Sequence, residues 1–348
     1  MDVGYCEHVV EGRLPELIPD TSLLPLAQSI PETTTVPIGA HMSVPIHLRD
    51  GRLFGTFCCF SHSTRPELGE HDLDLLRTFA QLISGEISAE VEAADENEKI
   101  AGRIKSAISN GDPRIVFQPI VRLADMRFVG VEALARFESE PKRPPDVWFR
   151  EASSVGMGPE LEMAAVRAAL LQGSRLPERI AINVNLSPEA ILTGNALSAL
   201  KGVAPKRIVV EITEHAAVDD YLLVAEALKP LREAGMRVAI DDAGAGYASL
   251  RHILHLSPNI IKFDISLTRD IDKDPKRQAM IAALAEYAKR TSTRVVAEGV
   301  ETVEELQTLV DLKIEKAQGY LFSRPKPMRQ LLEEFIAKGE RAYPEQAA

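Results

Sequence analysis

Acidic and amide side chains stand at the ends of several short apolar segments of the sequence, and all of them offer oxygen ligands. The set contains no cysteine or histidine, which favours Mg²⁺ or Mn²⁺ over zinc. Five carboxylates gathered in one cleft would repel one another without cations, and their charge suits two divalent ions. The candidate ligands are Glu132, Asn185, Glu211, Asp241, Asp242 and Glu298.

Two of these acids are adjacent, and a lysine follows them at the next segment. Asp241 is the natural bridge between two ions, because its neighbour Asp242 can serve the second one. Paired ions about 3.5–4 Å apart generate a hydroxide nucleophile and stabilise a phosphoryl transition state. Lys262 would position the attacking water or neutralise phosphate charge; a Schiff-base lysine is the alternative, which the surrounding carboxylates disfavour. The pattern favours metal-assisted phosphodiester hydrolysis.

These residues lie in a region, 114–337, where apolar β-branched runs alternate with segments of helical periodicity. Such alternation predicts βα units and a mostly parallel sheet. Eight runs in about 225 residues fit a (β/α)₈ barrel, in which the strand ends meet at one rim, and a doubly wound open sheet is the alternative. Strands are predicted over 114–120, 128–135, 179–185, 207–213, 237–241, 260–265, 294–298 and 316–321.

The region before the barrel has a different pattern. Asp50-Gly51 between the apolar runs 43–48 and 53–60 predicts a β-hairpin. From about Leu68 to Ile108, apolar residues recur every three or four positions, which predicts a long amphipathic helix that connects two domains and pairs with its copy in a homodimer. Its first apolar stripe is Leu76, Phe79, Ile83, Ile87 and Val91.

Composition narrows the function classes. The 348 residues allow two or three domains, and a net charge of −11 argues against a binder of nucleic-acid polymers. No apolar run approaches the ~18–20 residues of a membrane span, and no signal peptide is visible. The cysteines are Cys6, Cys58 and Cys59. This odd, small number predicts a cytoplasmic protein without a disulfide framework, and the Cys58-Cys59 pair is interpreted as strand packing.

Residues 112–337 resemble the EAL family of cyclic di-GMP phosphodiesterases, which is named after Glu132-Ala133-Leu134. The resemblance implies hydrolysis of cyclic di-GMP to linear 5′-pGpG, two Mg²⁺ or Mn²⁺ ions, a barrel that dimerises, and a first strand antiparallel to the rest. The other matching segments are Phe117–Ile120, Asn185–Pro188, Glu211–Glu214, Asp241-Asp242, Ile261–Asp264, Ala297–Glu301 and Gln318–Tyr320.

The resemblance also implies a role for each site residue. One ion would be held by Glu132, Asn185, Glu211 and Asp241, and the other by Asp241, Asp242 and Glu298. Lys262 and Gln318 would act at the nucleophilic water, beside Glu298. Gln118, Arg136 and Asp264 would contact the dinucleotide, and Glu214 would brace the loop that carries the second-metal aspartate. The sequence departs from the family pattern at Ala243, Arg150 and Ser153.

Residues 1–90 resemble the later part of a GAF sensor domain, through segments 12–18, 44–46 and 55–58. The expected organisation is a truncated α+β GAF-like domain over 1–90, a helical connector over 91–111 and the phosphodiesterase barrel over 112–340. Because every metal ligand and the lysine are present, an active enzyme regulated by the N-terminal domain is favoured. The alternative is a catalytically weak or inactive cyclic di-GMP receptor that signals through protein interaction.

Overall fold

A computed structural model describes residues 4–200, 202–212, 220–243 and 247–337 of the chain. The chain divides into two compact units, Met1–Lys99 and Ile100–Ala348. Within the described ranges, no helix combines the length and the apolar character needed to cross a bilayer.

The N-terminal unit contains a three-stranded antiparallel sheet in the order β1-β2-β3. The predicted hairpin is confirmed, since β2 pairs with β3 across a turn in which Arg52 N–H donates to Asp50 Oδ1 at 2.9 Å. Gly51 takes a positive φ of 85°, which is why the turn needs glycine there. The strands are β1 Leu17–Ile18, β2 Ala40–His47 and β3 Leu53–Ser61.

Helices cover both faces of this sheet. The predicted long helix is confirmed as one continuous element of 40 residues, α4. Its residues Leu73, Leu76 and Ala80 pack against Met42 and Val44 of β2, whereas the short helix α1 packs on the opposite face. The helices are α1 Tyr5–Val10, α2 Pro25–Ser29, α3 Pro31–Thr35 and α4 Glu70–Ser109.

The second unit is a closed barrel of eight strands, β4 to β11. All eight predicted strands are present, so the barrel is confirmed and the open sheet is excluded. The first barrel strand, β4, runs antiparallel to both neighbours, β5 and β11, and the other adjacent strands are parallel, as the family resemblance implied. The strands are β4 Arg114–Arg122, β5 Arg127–Arg136, β6 Ala181–Leu186, β7 Ile208–Ile212, β8 Arg237–Ala243, β9 Ile260–Phe263, β10 Arg294–Ala297 and β11 Lys316–Ala317.

Helices surround the barrel and bury the outward-facing aliphatic residues of its strands. Side chains of alternate strand positions point inward, where an apolar layer closes the barrel interior. The helices are α5 Pro145–Ser154, α6 Gly158–Gly173, α7 Pro188–Leu192, α8 Ala196–Ala199, α9 Tyr221–Glu233, α10 Tyr247–Leu256, α11 Ile265–Thr268, α12 Pro275–Arg290, α13 Val303–Asp311 and α14 Met328–Ala337.

Candidate active site

A polar layer lies directly above the apolar layer inside the barrel, because successive inward-facing positions of a strand are two residues apart. On four parallel strands or at their ends, an apolar interior residue is followed two positions later by a charged one. The pairs are Val209 and Glu211, Ala239 and Asp241, Ile260 and Lys262, and Val296 and Glu298. The strand β4 runs the other way, so Gln118 enters the same layer two residues before Ile120.

The adjacent acids Asp241 and Asp242 share the site because β8 bulges. Between its pairings with Ile261 and Phe263 of β9, β8 has two residues where β9 has only Lys262. Asp242 adopts a left-handed φ of 52°, and its N–H donates to Asp241 Oδ1 at 3.1 Å. A regular strand would send neighbouring side chains to opposite faces, so the bulge brings both carboxylates to one cleft.

Lys262 is fully buried at the centre of these acids. Its Nζ lies 2.7 Å from Glu298, 2.9 Å from Glu211, 3.0 Å from Asp241 and 3.3 Å from Glu132. Burial alone would lower the pKa of this ammonium, but the four carboxylates raise that pKa well above its ordinary value. The lysine therefore stays protonated and supplies the central positive charge of the cluster.

The carboxylates themselves are hard to ionise together. The pKa of Glu211 is raised to about 8, chiefly by burial, with Lys262 opposing the rise and Glu132 and Asp241 adding to it. Burial also raises the pKa values of Asp241 and Glu298. One ammonium cannot neutralise five acids in a low-dielectric cleft. Further cations are therefore needed to balance the negative charge of the ionised site.

Two groups of carboxylates have the spacing of cation sites. Oxygens of Glu132, Glu211 and Asp241 lie within 4.8 Å of one another, and so do oxygens of Asp241, Asp242 and Glu298. Asp241 belongs to both groups. Asn185 lies beside Glu211 in the sheet, and its buried Oδ1 has no hydrogen-bond partner within the described ranges. An orphaned amide oxygen next to hard carboxylate donors fits a divalent cation such as Mg²⁺ or Mn²⁺.

Asn183 is a site residue to which the sequence analysis gave no role. It is buried one inward-facing position below Asn185 on β6, and its Nδ2 donates to Glu211 Oε1 at 2.5 Å. This bond fixes the orientation of the Glu211 carboxylate while its other oxygen accepts from Lys262. The signal was the spacing Asn183-Val184-Asn185, because residues two apart on a strand face the same side.

Two glutamines form the wall of the site beside Glu132. Gln318 Nε2 donates to Glu132 Oε2 at 2.6 Å and to Gln118 Oε1 at 3.1 Å. Gln118 Nε2 in turn donates to the carbonyl of Ser323 at 3.2 Å. These bonds use the amide N–H groups of Gln318 and leave its buried Oε1 without a partner among the described residues, so it is available to accept from a bound water.

The other predicted site residues lie apart from this wall. Arg136 ends β5 with an exposed guanidinium, one nitrogen of which donates to the carbonyl of Ala135 at 2.7 Å. Asp264 follows β9 and caps α11, where its carboxylate accepts from Ser266 N–H at 2.9 Å. Glu214 lies outside the described residues.

The sequence of this chain matches two known domain families and several curated proteins. The EAL domain family matches residues 101–325, and the GAF domain family matches residues 1–87. The cyclic di-GMP phosphodiesterase NbdA of Pseudomonas aeruginosa is 31% identical over an alignment of 328 positions that covers 87% of this chain and 41% of that protein. The chain spans less than half the length of the curated relatives that it matches.

Solved structures share the barrel. An EAL domain protein from Listeria monocytogenes aligns with a TM-score of 0.61 at 25% identity, over 68% of this chain and 98% of that one. Klebsiella pneumoniae BlrP1 aligns with a TM-score of 0.56 at 32% identity, over 62% of this chain and 56% of that one. Its structures are complexes of cyclic di-GMP with calcium or manganese.

Proposed function

This chain belongs to the EAL domain family, and from that premise we propose that its barrel hydrolyses cyclic di-GMP to linear 5′-pGpG. The observation that carries the proposal is the pair of carboxylate groups that share Asp241. The likeness to the phosphodiesterase NbdA and to the BlrP1 complexes supports the substrate. A receptor that has lost catalysis would retain substrate contacts without needing an intact set of metal donors.

Two Mg²⁺ or Mn²⁺ ions would supply an activated water and offset the charge that develops on the phosphodiester. We assign one to Glu132, Asn185, Glu211 and Asp241, and the other to Asp241, Asp242 and Glu298. Calcium suits this site less well, because it prefers longer bonds and more ligands.

We assign the protein's own part in the chemistry to groups around that water. Lys262, with its ammonium at the centre of the acids, orients the water and stabilises negative charge by donating hydrogen bonds. The amide oxygen of Gln318 accepts from the water and fixes its direction. Glu298 lies 2.7 Å from the lysine and joins the water site to the second ion site.

Substrate contacts are assigned to the rim of the barrel. Arg136 presents an exposed guanidinium, which suits bidentate recognition of a phosphate. Gln118 lies beside the same cleft, where its Oε1 accepts a hydrogen bond from Gln318. For Asp264 we propose a contact with the dinucleotide in addition to its capping of α11, because the capping bond uses only one of its carboxylate oxygens.

The direct test is incubation of the purified chain with cyclic di-GMP and Mn²⁺ or Mg²⁺, with the products separated by chromatography. We expect 5′-pGpG from the wild type, none in excess chelator, and little when Ca²⁺ replaces Mn²⁺. Glu132→Ala should abolish turnover with an unchanged circular dichroism spectrum. Its matched control is Glu138→Ala, because Glu138 is exposed and outside the ion groups. Turnover in excess chelator would overturn the metal mechanism, and tight binding without product would favour the receptor.

We also propose that the chain is a homodimer whose N-terminal unit regulates the barrel through α4. The predicted stripe on this helix was partly misplaced, because Leu76 and Ile83 pack against the sheet of their own unit. The face left open carries Leu75, Phe79 and Leu82, which are 54%, 49% and 65% exposed and lie three or four residues apart. Such spacing is typical of a helix seam that pairs with an identical helix.

A further inference from the structure

A second cluster of metal-ligating side chains lies in the N-terminal unit, on the sheet face that α1 covers. The Sγ atoms of Cys6 and Cys58 and a ring nitrogen of His41 lie within 4.8 Å of one another. The hairpin register explains the meeting. His41 of β2 pairs with Phe60, and Cys58 is two residues from Phe60 on β3, so both side chains share one face.

The helix α1 supplies the third ligand. Its Tyr5 ring packs on the His41 ring with centroids 4.6 Å apart, and the next residue, Cys6, is thereby brought to the histidine. Residues 6, 41 and 58 thus converge from three separate elements. The sequence favoured strand packing for Cys58-Cys59, whereas the structure places Cys58 on the surface beside two further metal-ligating side chains.

His41 is buried at this position, and one nitrogen of its ring makes no hydrogen bond to the described residues. Only 3% of the residue is exposed, and its Nδ1 has no hydrogen-bond partner in the part of the chain that the structure describes. A buried polar atom without a partner is costly, and coordination of a cation would satisfy this one. Burial lowers the pKa of His41 to about 4, so the ring is neutral at physiological pH, as a metal-binding imidazole must be.

The donor set differs from that of the barrel. Two thiolates and one imidazole select a soft or borderline cation, and zinc is the usual one. Ligands of a tetrahedral zinc ion lie about 3.5–3.8 Å apart, given Zn–S and Zn–N bonds of about 2.3 and 2.0 Å. The three donor atoms lie within 4.8 Å of one another, so an approach of at most about 1.3 Å is needed, and rotation of the two cysteine side chains provides it. Glu32, whose charge acts on Cys58, or a water would complete the coordination.

We propose that Cys6, His41 and Cys58 bind one thiophilic divalent cation, with zinc as the natural ion. Such an ion would tie α1 to the β2–β3 hairpin and stabilise the folded N-terminal unit by binding only the folded state. This site is independent of the barrel and of the function proposed for it.

The test uses Co²⁺ as a spectroscopic probe of the full chain, reduced and freed of metal. A thiolate–Co²⁺ charge-transfer band needs sulfur ligands, which the oxygen donors of the barrel cannot supply. We expect one equivalent of Co²⁺ to produce this band and Zn²⁺ to remove it. Cys6→Ser and Cys58→Ser should each abolish the band, with affinity weakened about 100-fold or more, since loss of a direct ligand costs at least as much as loss of its supporting partner.

Cys59→Ser is the matched control, because Cys59 pairs with Met42 and faces the opposite side of the sheet. This variant should keep the full band. His41→Gln should also lose it. If that variant does not fold, the two serine variants still decide, since Cys6 is partly exposed and Cys58 is exposed, so serine fits at both positions. The proposal is overturned by a reduced wild type without the band, by a band that survives in Cys6→Ser, or by thiol titration of the purified protein before reduction that finds one free thiol because Cys6 and Cys58 form a disulfide.

Discussion

Replacing Lys262 with methionine tests whether the lysine and divalent cations neutralise the same cluster. The ammonium is fully buried and lies within 3.3 Å of four carboxylates. Removing one partner of a buried ion pair costs about 3–5 kcal/mol, because charge is left uncompensated. In a domain of this size, each kcal/mol of lost unfolding free energy lowers the melting temperature by about 2–4 °C. In chelator, Lys262→Met should therefore melt roughly 6–20 °C below the wild type.

Manganese should restore most of that loss, since cations held by the same carboxylates replace the missing charge. The assay is thermal unfolding of both proteins in chelator and in Mn²⁺, with turnover measured in parallel; turnover should stay low even when stability returns. Lys229→Met is the matched control. Its Nζ lies 2.6 Å from Glu226 on the exposed face of α9, and its loss should cost about 1 kcal/mol or less with no response to Mn²⁺. A Lys262→Met protein that melts with the wild type in chelator, or that Mn²⁺ fails to stabilise, would refute the reasoning.

The pH response, the cation affinity and the assembly of the chain can each be tested separately. In chelator, wild-type stability should fall between about pH 5 and about pH 8, because the raised pKa of Glu211 makes the folded state hold a proton that the unfolded state releases; denaturation midpoints that do not fall with pH would contradict this. Asn183→Ala should weaken the apparent Mn²⁺ affinity about 10–100-fold with turnover recovered at saturating Mn²⁺, since the residue orients Glu211, and an unchanged Mn²⁺ titration would exclude that role. Leu75→Glu with Leu82→Glu should yield monomers by light scattering and change turnover, whereas a dimer with wild-type turnover would remove the proposed role of this helix face.

The barrel could be predicted from the sequence because each strand is a short β-branched run bounded by helical periodicity. The predicted strand ends were less accurate where a helix cap or a loop begins. Asp264 was placed inside a strand, but its carboxylate caps α11, so β9 ends at Phe263. The last strand was predicted over 316–321, but β11 covers only Lys316–Ala317, and a turn follows.

The candidate site could be predicted to the extent that it depends on the alternation of side chains between the two faces of a strand. The identity of the inward acids follows from period-two spacing, but the bulge that turns Asp242 into the cleft depends on its pairing with β9. On α4, the apolar residues recur so densely that periodicity does not decide which face packs inside the unit and which stays open. The meeting of Cys6 with His41 depends on hairpin register and helix docking, which no local pattern encodes.

The most direct test of the two-ion account is anomalous diffraction from crystals of the full chain grown with Mn²⁺. We expect two peaks inside the barrel about 3.5–4 Å apart, with an oxygen of Asp241 between them. The remaining ligands should divide into one set around each peak, Glu132, Asn185 and Glu211 for the first and Asp242 and Glu298 for the second. A single peak, or two peaks that do not share Asp241, would contradict the account.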